Sequence, residues 1–111
     1  MWPGVNAVRW LVPWHPIIGG SPDDAIAWEL YSEVGNDHVL RGIRVRPLAR
    51  RQDCDDTLFE LLDGSGRFAV VHLTYARHPE PDSEWPSTEI YADWSAFERE
   101  RMQSDAAEWG E

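Results

Sequence analysis

The 111-residue chain has no lysine, a single cysteine and no apolar run approaching the roughly 20 residues that a membrane span requires. With Cys54 alone, an intrachain disulfide and any zinc cage built from several thiolates are excluded. Pro13 and Pro16 interrupt the most apolar stretch, Val12 to Gly20, so no membrane segment is expected. Signal-peptide form is lacking too: no cation precedes Arg9, and the prolines break the apolar region, which points to a cytoplasmic location. Internal repeats, nucleotide loops, nucleophile elbows and zinc-protease helix motifs are missing, and nothing calls for a cofactor. Gly64-Ser65-Gly66 is too short for a phosphate cradle and lies between two strand-like runs.

All cationic charge therefore comes from ten Arg, set against twenty Asp and Glu for a formal net charge of −10. A surface of that sign repels a phosphate backbone, so nucleic acid is not an expected partner. The same field steers basic proteins or small cations inward. Hydrophobic residues make up 42% of the chain and include seven tryptophans, enough apolar material for one folded domain.

Residues 1–20 hold three Trp, three Pro and three Gly, the composition of an irregular arm whose Trp10, Leu11, Val12 and Trp14 cover one side of a domain spanning 21–111. Ser21-Pro22-Asp23-Asp24 carries helix-start signals, and Ile26, Ala27, Leu30, Tyr31 and Val34 form one stripe, predicting a helix over 22–34 that stops at Gly35-Asn36. Strand-like alternation runs from His38 to Arg50, with Pro47 indicating an edge or a bulge. The segments 56–62 and 67–75 flank Asp63-Gly64-Ser65-Gly66, a hairpin signal. Centring its turn on Gly64-Ser65 puts Phe59, Leu61, Phe68, Val70 and His72 on one face. A fourth strand is expected over 87–92, followed by a C-terminal helix capped by Asp93 or Ser95 and broken near 103–105. The fold class is then α+β, an antiparallel sheet of three or four strands with two helices packed on one face.

Candidate chemistry is sparse. Residues 41–51 carry five Arg and no acid, so Arg44 and Arg46 are candidates for holding a carboxylate or phosphate, or for a charge ladder with Asp56 and Glu60. His72 and His78 are the candidate catalytic residues, although their interval of six fits no simple metal-ligand spacing. Asp53-Cys54-Asp55-Asp56 reads as an acidic turn, because flanking carboxylates disfavour a thiolate. Tyr75, at the end of the second hairpin strand, and Trp85, in the Pro-rich loop over 76–87, are candidate interface anchors. The stretch Phe68-Ala69-Val70-Val71-His72-Leu73-Thr74-Tyr75, with Pro79 to Thr88 after it, resembles small bacterial proteins of uncharacterised function. That resemblance covers about residues 38–102 and implies no activity.

The leading expectation is a binding protein that uses a mixed Arg and aromatic sheet face, through Arg44, Arg46, Tyr75 and Trp85, for a protein partner or for homodimer formation. One alternative is a small hydrolase or lyase holding an anionic substrate with Arg44 and Arg46 beside His72 or His78. Another is an acidic inhibitor or immunity-type protein for a basic enzyme.

Overall fold

Asp24, rather than Ser21, starts the first helix. Its carboxylate accepts the Ala27 N–H at 2.9 Å and the Ser21 N–H at 3.1 Å, filling the role of an N-cap. In this computed structural model, which describes residues 2–110, α1 spans Ala25–Glu33, inside the expected 22–34. Ala27, Leu30 and Val34 bury the expected stripe, with Ile26 and Tyr31 at its margin. The stop is not a left-handed glycine. Val34 simply becomes extended, at φ −78° and ψ 125°.

Five antiparallel strands lie in sequence order: β1 (Trp14–Pro16), β2 (Val45–Arg51), β3 (Asp56–Leu61), β4 (Phe68–His72) and β5 (Ser87–Tyr91). The sheet thus exceeds the expected three or four strands, because the N-terminal arm supplies β1, which pairs Trp14 with Arg51. Pro47 has no N–H to donate, and β2 is bulged between Pro47 and Ala49, as that residue implied. After Asp93, which accepts the Ala96 N–H at 2.9 Å, come α2 (Trp94–Phe97), a π-helical stretch Glu98–Met102 and α3 (Gln103–Trp109). Glu98 and Gln103, at the joins, keep helical dihedrals. The wider π turn explains why Phe97, Met102 and Ala106 fit no single 3.6-residue stripe.

Strand register departs from expectation by one residue. Asp63 Oδ1 accepts the Ser65 N–H at 3.0 Å, Gly64 and Gly66 take φ of 81° and 75°, and the pairing is symmetric about Gly64 alone. Glu60 therefore faces Phe68, Phe59 faces Ala69 and Asp56 faces His72. A one-residue slip sends every β4 side chain to the other side of the sheet. Phe59, Leu61, Ala69, Val71 and Leu73 accordingly lie beneath α1. Phe68 and Val70 join Leu58 in a second core with Trp14, Trp94, Phe97 and Met102.

The helices consequently pack on opposite faces, not on one. Face-to-edge contacts dominate the second core: Trp2 to Phe68 at 5.3 Å, Trp14 to Phe97 at 5.4 Å and Phe68 to Trp94 at 5.6 Å between ring centroids. The arm and the C-terminal helical run together close the face that was expected to await a partner. No helix among the described residues is long and apolar enough to cross a membrane.

Candidate functional site

The expected anchors do not converge. Arg44 pairs with Asp23 at 3.4 Å and Arg46 with Glu60 at 3.3 Å, the latter being the cross-strand ladder foreseen as the alternative to anion binding. Glu60 stands four residues along β3 from Asp56, about 13 Å at the rise of an extended strand. An anionic substrate held by these arginines is thereby separated from His72. His78 lies in an exposed loop, and its ring nitrogen reaches only the carbonyl of the adjacent Pro79, at 3.2 Å.

Tyr75 and Trp85 share one loop, residues 73–86, and buried groups tie that loop down. Glu33 is fully buried at the end of α1 and accepts the N–H groups of Thr74 and Tyr75, both at 2.8 Å. The Thr74 hydroxyl lies 3.0 Å from Glu33 and 2.7 Å from Glu80. Glu29 accepts the Arg77 N–H at 3.3 Å, and the Glu33 carbonyl accepts that of Glu80 at 3.0 Å. These bonds hold Tyr75 and Arg77 in left-handed conformations, φ 57° and 64°, that non-glycine residues adopt only under constraint. Burial, reinforced by the neighbouring Glu29 carboxyl, pushes the Glu33 carboxyl up to about 7. At the far end His38, also buried, accepts the Leu40 N–H on Nδ1 at 3.0 Å and donates through Nε2 to the Pro86 carbonyl at 2.9 Å. Between these ties the loop presents Tyr75 at 39% and Trp85 at 45% exposure.

A separate polar cleft of about 230 Å³ is lined by Asp56, Val70, His72, Ser87, Glu89 and Arg101. Its floor is a row across three strands, with Asp56 opposite His72 and His72 opposite Ser87. His72, expected inside beside Phe59 and Phe68, is instead open to solvent, because the register carries it to the end of the other face. Its Nδ1 lies 2.7 Å from Asp56 Oδ1. The other Asp56 oxygen accepts from Arg101 at 2.6 Å, and Arg101 also reaches Glu89 at 2.9 Å and Asp105 at 2.8 Å. Asp105, largely buried, further accepts from Trp14 Nε1 at 2.9 Å and Arg51 at 3.1 Å. Burial opposes the Asp56 charge, but His72 and Arg101 outweigh it and hold the carboxyl below its usual range.

Cys54, half-buried, completes the group: one donor atom each from Cys54, Asp56 and His72 lies within 4.8 Å of the others. Burial pushes the Cys54 thiol up, with Asp56 and Asp53 adding to the effect, so as a free group it is a poor nucleophile. An imidazole held by a carboxylate is the arrangement of a general base. The roles of Arg101, Glu89, Asp105 and Glu33 were not visible beforehand. The one usable signal was the closeness of Cys54 and Asp56 in the sequence, two residues apart where the connection from β2 enters β3. Comparisons with family models, with curated proteins and with solved structures find no match for this chain.

Proposed function

We propose that the chain is a non-enzymatic binding protein, that the 73–86 loop is its recognition element, and that its partner is a basic protein. The carrying observation is the loop itself: two exposed aromatic side chains on a segment already fixed by Glu29, Glu33 and His38. Tyr and Trp supply large contact areas with few rotatable bonds, and an ordered loop loses little further entropy on docking. From Pro79 to Pro86 the loop carries Glu80, Asp82 and Glu84 and no cation, on a chain of net charge −10. That pattern favours a cationic surface and rapid, salt-sensitive association. It keeps Tyr75 and Trp85 as anchors and releases Arg44 and Arg46, whose charges meet Asp23 and Glu60. Self-association through the sheet loses its support, since both faces are covered by the chain's own helices and arm.

Affinity isolation from extracts of the producing cell tests the reading. Immobilised wild-type chain should retain one protein of basic isoelectric point at low salt and release it as salt rises. Trp85→Ala, and separately Glu80→Gln with Asp82→Asn and Glu84→Gln, should lose it. Equal retention by all three forms, or retention by none, would reject the proposal.

A further inference from the structure

We propose that Cys54, Asp56 and His72 form a binding site for one divalent transition-metal ion of borderline softness, Zn²⁺ or a close chemical relative. Among the described residues this is the one cluster of three or more His, Cys, Asp or Glu side chains gathered at metal-ligand separation. Its donors are a sulfur, a carboxylate oxygen and an imidazole nitrogen, the three types that zinc accepts. Calcium and magnesium, which take all-oxygen shells, are disfavoured by the sulfur and nitrogen. In a tetrahedral zinc site, donors stand about 3.3–3.8 Å apart. The observed spacing of under 4.8 Å therefore closes with small side-chain rotations.

The elements supply the ligands in a way that favours a single ion. Asp56 and His72 are cross-strand partners at the sheet end, and Cys54 sits two residues before Asp56 on the connection from β2. Arg101 grips Asp56 Oδ2 and so fixes the carboxylate while leaving Oδ1, now beside His72, as the donor. Such an outer contact orients a ligand in the manner typical of metal centres. The surrounding charge also suits a cation: Asp53, Asp56, Glu89 and Asp105 outnumber Arg51 and Arg101 in the connected ion pairs. Three protein ligands leave a fourth position open toward the cleft, where Ser87 and Glu89 stand. On binding, the Cys54 proton passes to solvent and the thiolate takes its place on the metal.

Cobalt provides the direct test, because a thiolate on tetrahedral Co²⁺ gives a near-ultraviolet charge-transfer band together with intense visible bands. Titration of the reduced, chelator-treated full chain with Co²⁺ should develop both to an endpoint of one equivalent, and Zn²⁺ should abolish them. Cys54→Ser should remove the charge-transfer band, and His72→Gln should weaken Zn²⁺ binding by calorimetry at least tenfold. His78→Gln should change neither. Circular dichroism of each variant establishes that the fold persists. Since Cys54 and His72 lie outside both cores, it should. A cobalt spectrum without the thiolate band, or zinc affinity unchanged in a folded Cys54→Ser, His72→Gln double variant, would overturn the assignment.

Discussion

Glu33, on the last turn of α1, accepts the backbone N–H of Tyr75 at 2.8 Å, so one buried carboxyl fixes the start of an exposed loop 42 residues further along the chain. Its pKa, raised by burial and by Glu29 to about 7, ties that contact to pH. A folded value above the unfolded one means that the native state binds the extra proton. The associated stability is full below about pH 4.5 and is lost as pH rises through 7. The unfolding free energy of the wild type, from urea titrations, should therefore fall between pH 5 and pH 8, by on the order of 1–3 kcal/mol. Glu33→Gln should flatten that slope. A slope of the same size in the variant would show that other groups set it.

Asp105 joins Arg51, Arg101 and Trp14 beneath the C-terminal helical run. Asp105→Ala leaves two guanidinium groups without their common acceptor, at a cost of about 3–5 kcal/mol. Calorimetry should record a melting temperature lower by about 10–20 °C in a chain of this size. A change of only a degree or two would mean that water replaces the carboxylate.

The two phenylalanines of the hairpin can be told apart by their neighbours. Phe59→Ala and Phe68→Ala should each cost about 3–5 kcal/mol, since both are buried. Only Phe68 touches the Trp2 and Trp94 rings. Near-ultraviolet circular dichroism and tryptophan emission should change strongly in Phe68→Ala and little in Phe59→Ala. Equal changes in both would contradict the assignment of the two rings to opposite faces.

In the hairpin turn, the Ser65 hydroxyl and backbone N–H, with Arg67 assisting, hold the Asp63 carboxyl down at about 2. A folded pKa below the unfolded value makes this contribution present at neutral pH and lost as pH falls through 2. Carbon-detected NMR titration should find Asp63 still charged at pH 3, and Ser65→Ala should return it toward an ordinary aspartate. An unshifted Asp63 in the wild type would place the turn in another conformation.

Much of the architecture could be read from local chemistry. The α1 stripe, the Pro47 bulge, the β3–β4 hairpin and the Asp93 cap all follow from residue type and spacing. Facing could not, because it hangs on a turn count: Asp63 captures Ser65 and centres the hairpin on Gly64 alone, and that single residue moved Phe68, Val70 and His72 across the sheet. The cleft was illegible for the same reason. Asp56 meets His72 only in the true register, and Arg101 arrives from 45 residues away along a helix whose π turn no periodicity signalled. Trp14 was legible as a cover and not as a strand residue, since β1 is too short to show alternation.

The second core is assembled from both ends of the chain, with Trp2 and Trp14 from the arm and Trp94, Phe97 and Met102 from the C-terminal run meeting around Phe68. During synthesis, Leu58, Phe68 and Val70 have only the arm to cover them until Trp94 to Met102 have emerged, while the α1 side can already close. The half-made protein is therefore less covered on that side than on the other, and a truncation that removes Trp94 to Met102 leaves it in that condition permanently.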